Sequence, residues 1–563
     1  MKRICRISGQ EFTVTDDDQQ FLQKVSPLLA GKKYLISPPT LAPDERKRRR
    51  MAWRNGTKLY SDICDLTGKP ILSVFSPDKP FQVYSEPAWW GDSWDAITYG
   101  RDFDFSRPFF AQYYDLMLAV PQVALITDYL PNINSEYINL AGPSKNCYLI
   151  FDTGDCEGCM YSHGVYRNLD CLDCDYVHDS SYCYDCVNCY TCYQVQHAYM
   201  CFNTTDSEYV FNLRGCKNCF LSHNLQQKEY YILNKPYTKE TYFAEVARLK
   251  KELPNIKEYY LNKIVGDTTV PRKYYFGTST ENATGEYLNH VKNVQVGFNL
   301  NQVEDCAYVR NLEHAKDCRD YDMWGWDAEL NYECQETGSG AYCLAFCSYC
   351  WDSVRDMYYT QFSRWSHHLF GCFGLKRKEY CILNKQYSKE QYEALVPRII
   401  AHMTKTGEWG EFFPMNISHF GYNETYAQEH FPLNKEEAVK TGAQWCDYEA
   451  PRPQVSKVIP GAALPDTITG IGDDILDCAI ASEENDKLFR IIKPELAFYR
   501  KYNIPLPRKS PELRHQERSR IRNPEQLWAR NCMNCQKSLM TSYAPNRKEI
   551  IYCETCKQTE SAA

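Results

Sequence analysis

The sequence lacks any long apolar run. Its most apolar stretch, FFAQYYDLMLAVPQVALI, is broken by Gln, Asp and Pro, which excludes a bilayer-spanning helix of about 20 residues there. It also lacks the apolar segment of a secretory signal: MKRICRISGQEFTVTDDDQQ starts basic and turns polar and acidic, so a soluble, cytoplasmic chain with no membrane partner is expected. Positive charge is not in excess. Lys and Arg number 64 against 72 Asp and Glu, a formal net charge of −8, which excludes a protein that coats nucleic acid over its whole surface and leaves only local basic faces. No stretch matches a catalytic signature, so no catalytic residue is assigned.

What the sequence has is cysteine and tyrosine. The 563 residues include 28 Cys and 44 Tyr, with 14% aromatics overall, a composition that suits tightly turned β-structure and is long enough for about three to five structural units. In a reducing compartment such cysteines serve as metal ligands or packed thiols rather than disulfides.

Internal repeats occur at three levels. First, the two ends are copies of one module: Arg46, Arg50, Arg54, Asn55, Leu59, Cys64, Lys69 and Pro77 align with Arg514, Arg518, Arg522, Asn523, Leu527, Cys532, Lys537 and Pro545 at an offset of 468, and Phe12, Val14, Phe21 and Lys24 align with Phe489, Ile491, Phe498 and Lys501 at 477. Second, KEYYILNKPYTKETYFAEV from Lys228 recurs as KEYCILNKQYSKEQYEALV from Lys378, each reading as strand, turn and helix, with Ser388 and Gln391 spaced as a capping box. Such a helix caps an open stack of repeats. Third, CxxC pairs recur every 15 residues, at Cys156/Cys159, Cys171/Cys174 and Cys186/Cys189, with Cys216/Cys219 in the same register. A 15-residue solenoid rung is the reading, with Val165, Val195, Val210 and Leu225 as one inward column. A second, degenerate array carries Cys306, Cys318, Cys334, Cys343, Cys347, Cys350 and Cys372 at drifting spacing.

The expected fold is mixed and β-rich: two short-period, cysteine-rich β-solenoid arrays, each capped by a helix, flanked by duplicated small α+β modules. The boundaries read as an N-terminal basic module with a degenerate zinc site (1–88), an aromatic-rich connector (89–140), the first array and its helix (141–265), the second (266–405), a connector and Pro-rich linker (406–465) and a C-terminal basic module with a zinc ribbon (466–563).

The strongest chemical signal is CMNC with CETC. Cys532, Cys535, Cys553 and Cys556 form two thiolate pairs that close a tetrahedral Zn(II) shell with no open position, a structural site. The matching N-terminal residues are Cys64, Thr67, Ser85 and Ala88, a site without three of its ligands. In the first array, Cys156, Cys159, Cys171, Cys174, Cys186, Cys189, Cys216 and Cys219 have two readings: small residues filling a narrow core, which is favoured, or ligands to further zinc or an iron–sulfur centre. His163, His178 and His223 share a column in the 15-residue register with Tyr193 and Glu208. That column reads as an outer polar ladder before it reads as a metal or proton-transfer site. Arg46, Arg50 and Arg54, like Arg514, Arg518 and Arg522, recur every four residues and line one helix face. They suit phosphates, or a helix pinned by ion pairs to nearby carboxylates.

Taken together, GRDFDFSRPFF, KNCYLIF, CKNCF, ILNKQYSKEQY, FFPMNISHFGYNET and the terminal ribbon resemble an uncharacterised cysteine-rich, zinc-ribbon-containing family of candidate-phyla-radiation (Patescibacteria) bacteria. The resemblance covers nearly the whole chain and implies a bacterial cytoplasmic protein with no assigned reaction. In that family a CxxC near the start and a CPxCR before the basic helix also look metal-binding; here the matching residues are Cys5, Ser8, Ala42 and Glu45. The functional expectation is a non-enzymatic zinc-binding scaffold offering solenoid faces to a macromolecule or to itself. The rival readings are a nucleic-acid-binding protein using the arginine helices, and a metal or redox enzyme using the CxxC ladder.

Overall fold

In a computed structural model, which describes residues 1–562 except 129, 254, 308, 311–314, 317–318, 320–327, 330–331, 335–354, 452–454 and 456, the backbone of the first array turns a corner at every third residue. Asn146, Leu149, Asp152, Asp155, Gly158 and Tyr161 open a series with positive φ that runs on at the same step to Gln227. The left-handed region is cheap for Gly and tolerable for Asn and Asp, and those residues hold most of the corners, among them Asp170, Asp173, Asp179, Asp185 and Asn188. A chain that bends every third residue closes on itself after four sides.

Strand pairing fixes the rung. Tyr148 pairs with Met160, Met160 with Leu172, Leu172 with Tyr184 and Tyr184 with Gln196, all parallel, so each rung has 12 residues and not 15. From Ile138–Ala141 to Glu229–Ile232 the strands stack in chain order in one sheet, which ends on the antiparallel strand Lys235–Pro236; Ser144–Lys145 and Cys156–Glu157 pair with each other apart from it. The 15-residue step of the CxxC pairs is one rung plus one three-residue side. Successive pairs therefore spiral around the coil from wall to wall, and Val165, Val195 and Val210 all point inward but from different walls.

The residue after each corner faces the axis, and four three-residue sides leave room only for small groups. Cys147, Ile150, Cys156, Cys159, Ser162, Val165, Cys171 and Cys174 are all buried there. Each inward thiol lies within hydrogen-bonding reach of two carbonyl oxygens. For Cys156 Sγ they are those of Gly154 at 3.4 Å and Val165 at 3.3 Å; for Cys186 Sγ, those of Tyr184 at 3.4 Å and Val195 at 3.3 Å. Serine takes the same slot: Ser162 Oγ donates to Met160 O at 2.8 Å and accepts from the backbone N–H of Cys174 at 3.0 Å. Burial pushes the thiols of Cys171 and Cys186 well above the usual range, so they stay protonated. Cys171→Ser is expected to change stability by less than about 1 kcal/mol. Cys171→Leu, which forces a branched side chain against the facing wall, is expected to destabilise by about 1–3 kcal/mol; denaturant unfolding of the two variants side by side checks the contrast.

The second array follows the same rule. Arg355 pairs with His367 and His367 with Glu379, again 12 residues apart, and Cys372 Sγ reaches Phe370 O at 3.6 Å and Cys381 O at 3.4 Å. Cys306 and Cys334 are buried, whereas Cys318, Cys343, Cys347 and Cys350 lie outside the described residues. Each array ends on a helix, Lys239–Glu252 and Lys389–Thr406, and both start with a capping box, the second formed by Ser388 and Gln391 as the spacing predicts. Tyr242 packs on Tyr230 at 5.6 Å and Tyr392 on Tyr380 at 5.7 Å, the same contact in each copy.

By its contacts the chain divides into two compact units of separated segments: Met1–Ala124, Thr268–Asp447 and Asn523–Ala563 form one, and Leu125–Asp267 with Tyr448–Arg522 form the other. The C-terminal module of the sequence thus divides at Arg522. Its Pro-rich lead-in carries a strand, Val458–Pro460, parallel to Ala479–Ala481. Among the described residues no helix is long and apolar enough to cross a membrane.

Candidate metal centre

Four short antiparallel hairpins share one backbone design. They pair Ile4 with Glu11, Ile63 with Pro70, Ala481 with Leu488 and Asn531 with Ser538 at their inner ends. At each turn the next residue donates its N–H five residues ahead and accepts one from four ahead. The donors and acceptors are Cys5 N to Gln10 O at 2.9 Å, Cys64 N to Lys69 O at 2.9 Å, Ser482 N to Lys487 O at 2.9 Å and Cys532 N to Lys537 O at 2.8 Å. Gly9, Gly68, Asp486 and Gln536 close the turns with positive φ. A second knuckle then returns to the first: Cys553 N donates to Cys532 Sγ at 3.2 Å, Ser85 N to Cys64 Sγ at 3.3 Å and Ser510 N to Ser482 Oγ at 2.9 Å. At the positions that Cys532, Cys535, Cys553 and Cys556 hold in the last frame, the other three carry Cys5, Ser8, Ala42 and Glu45; Cys64, Thr67, Ser85 and Ala88; and Ser482, Asn485, Ser510 and Leu513. The third frame was hidden from motif reading because it has no cysteine at all; the alignment of Phe12 and Val14 with Phe489 and Ile491 is its trace.

Only the last frame carries four thiols. Their sulfurs all lie within 4.8 Å of one another, and Cys535 Sγ is 3.7 Å from Cys553 Sγ. Four thiolates at about 2.3 Å from a tetrahedral metal stand about 3.8 Å apart, so the donor set and the spacing both fit. Burial raises the Cys532 thiol, but the backbone N–H groups of Cys535, Cys553 and Asn534 outweigh it and bring the thiol down to about 6, while the neighbouring Cys553 thiol pushes that of Cys556 up to about 12. Cys532 and Cys553 are buried and Cys535 is exposed, so the site lies at the surface with one edge open to solvent.

The array cysteines are not brought together as a ligand set. Cys159 and Cys171 stack on adjacent rungs of one wall, while Cys156 and Cys174 belong to two other walls, so the four do not converge on one ion. Cys186 and Cys189, like Cys216 and Cys219, also sit on different walls; their thiols neighbour one another across the core and reach backbone carbonyls, but no third ligand joins either pair among the described residues. Among the described residues Cys532, Cys535, Cys553 and Cys556 are the one group whose ligand atoms meet.

Five of the six arginines are buried. On the helix Pro43–Met51, Arg46 is 5% exposed and Arg50 0%; Arg54 lies beyond its end at 2%, over the Tyr426 ring. On Pro511–Ile521, Arg514 Nη1 pairs with Asp173 at 2.7 Å and Arg518 Nε with Asp175 at 2.8 Å. Arg522 ends that helix, half-buried, with Nε on Asn188 Oδ1 at 2.9 Å and its guanidinium over Tyr176. A phosphate would have to displace protein carboxylates to reach Arg514 and Arg518. The 12-residue rung also redistributes the histidines: His178 stacks between Tyr166 and Tyr190 at 5.3 and 5.0 Å, while His163 stacks on Phe151 and on His515.

No protein-family model matches the chain, and no curated protein matches it.

Proposed function

We propose that this chain is a non-enzymatic scaffold or assembly protein of the bacterial cytoplasm, stabilised by one structural zinc ion and offering the outer faces of its solenoid arrays to a macromolecular partner or to a second copy. The observation that carries this reading is the packing of the inward cysteines: buried in the narrow core with their thiols on backbone carbonyls, they leave the outer faces as the extended surface that the described rungs present. Zinc suits the C-terminal quartet because four sulfur ligands in a tetrahedral arrangement leave no position for substrate or water. The reading as a nucleic-acid binder is the weaker one, since Arg514 and Arg518 are occupied by Asp173 and Asp175.

Metal analysis with an absorption spectrum, on protein purified without oxygen, tests the reading. The expected content is about one zinc per chain with no visible absorption, falling below about 0.1 in Cys535→Ser. Several metals per chain, or iron with sulfide absorption, would move the redox reading to first place.

A further inference from the structure

The two ribbons aligned at the 468 offset do the same job at different ends of the sequence. Each lays a short strand beside the strand that leads into an array. In the C-terminal ribbon, Ile551–Tyr552 runs parallel to Arg272–Lys273, accepting Arg272 N at Ile550 O, 2.8 Å, and Tyr274 N at Tyr552 O, 3.0 Å. In the N-terminal ribbon, Val83–Tyr84 runs parallel to Gln122–Val123, accepting Gln122 N at Gln82 O, 2.8 Å, and Ala124 N at Tyr84 O, 2.9 Å. The leading strands are related by the array offset of 150 and the ribbon strands by 468, so the pairing itself is duplicated.

What differs is how the ribbon strand is held. The N-terminal copy has Cys64, Thr67, Ser85 and Ala88 at its ligand positions and an indole instead: Trp89 is fully buried and its Nε1 donates to Pro121 O at 2.9 Å, next to the leading strand. In the C-terminal copy Lys557 stands where Trp89 does, and Ile551–Tyr552 runs straight into Cys553 and Cys556. That ribbon keeps a second attachment through its hairpin, where Thr541 Oγ1 donates to Tyr274 O and Ser542 to the buried Glu286. On the strand itself the hairpin's turn makes one backbone bond, Met533 N to Ile551 O at 2.9 Å, and that turn is the one the metal would tie to Cys553 and Cys556.

We propose that the metal of the C-terminal ribbon is the latch that keeps Ile551–Tyr552 on the leading edge of the second array, so that metal loss uncovers the backbone of Arg272–Tyr274 while Gln122–Ala124 stays covered. One end of the duplicated fold is closed permanently by an aromatic anchor, the other conditionally by an ion. An uncovered leading strand presents free N–H and C=O groups, the template for pairing with another strand. The inference rests on the metal-site reading and is independent of what the arrays bind.

Residue-resolved hydrogen exchange on the full chain tests it, run zinc-loaded, after removal of zinc with a chelator, and on Cys535→Ser, with zinc measured in every sample. Without zinc, the amides of Arg272 and Tyr274 are expected to exchange faster by about tenfold or more, those of Gln122 and Ala124 by less than about twofold, and added zinc is expected to restore protection. If zinc is shown to be gone and Arg272 and Tyr274 keep their protection, the latch is overturned and the metal site stands. If Gln122 and Ala124 lose protection in step with them, the metal holds the whole unit and selective uncapping is overturned. A chain that takes up no zinc under any loading overturns the metal site and the latch together.

Discussion

Arg518→Ala is expected to destabilise the unit formed by the first array and the helix Pro511–Ile521 by about 3–5 kcal/mol, the cost of leaving a buried charge without its partner. Asp173 and Asp175 are each about 1% exposed, and Arg518 is the side chain that touches both: its Nε pairs with Asp175 at 2.8 Å, its Nη1 with Asp173 at 3.1 Å and its Nη2 donates to Tyr161 O at 3.2 Å. Arg514 cannot replace it, because its Nη1 already meets Asp173 at 2.7 Å and Tyr499 OH at 3.0 Å. Burial raises the Asp175 carboxyl, but Arg518 and His515 hold it well below the usual carboxylate range. A depressed carboxylate contributes stability above its unfolded pKa of about 3.9 and loses it as pH falls further, so the pair's own acid sensitivity belongs below about pH 4. Without Arg518 the carboxylate is held down less, by His515, and that loss begins at higher pH. A double-mutant cycle with Asp175→Asn isolates the coupling. A loss under about 1 kcal/mol for Arg518→Ala, together with weakened, salt-sensitive nucleic-acid binding, would restore the phosphate reading.

That pair marks where sequence reading stops. Arg514 and Arg518 are legible as one helix face, but whether the face meets phosphate or carboxylate depends on Asp173 and Asp175, some 340 positions away, as shown by the pairing separations of 341 and 343. The quartet of Cys532, Cys535, Cys553 and Cys556 is legible because all four ligands lie on two short turns whose spacing encodes the chemistry. The solenoid itself is legible as a repeat, and its rung length is not: inward residues recur at every multiple of three, so a CxxC pair displaced by one wall per rung announces 15 while backbone pairing sets 12. The corners carry the truer signal, an Asn, Asp or Gly at a three-residue step, which the cysteines overshadow. The cysteine-free frame around Ser482 and Ser510 survives as hydrogen bonds alone. That Trp89 anchors beside one leading strand where a cysteine quartet adjoins the strand paired with the other is likewise invisible until both leading strands are seen to be paired in the same way.

His419→Phe is expected to flatten the acid side of the stability profile of the unit that contains it. His419 is 2% exposed in a box of aromatic rings, with Trp53, Phe75, Phe81 and Phe373 edge-on at 5.6 to 6.1 Å, and its Nε2 has no hydrogen-bond partner among the described residues. Burial, with a smaller contribution from Lys79, brings this imidazole down to about 3. In the unfolded chain it titrates near 6.5, so between those values the unfolded state binds a proton that the folded state refuses. Stability is therefore full above about pH 6.5 and falls on acidification by about 1.4 kcal/mol per pH unit for this group. His430 in the same unit, brought down to about 4 by burial, adds to the slope over the upper part of that range. Phenylalanine keeps the ring in the box and cannot take the proton, so denaturation midpoints at pH 7 should match the parent, while those at pH 5 and 4 should fall less steeply by about one proton's worth. An unchanged slope would mean that His419 is protonated in the folded chain and that the box is wetter than its geometry implies. The two acid windows are then separable: buried neutral imidazoles weaken the fold from about pH 6.5 downward, and the Arg518–Asp175 pair yields only below about pH 4, so a variant that moves one window and leaves the other identifies which device failed.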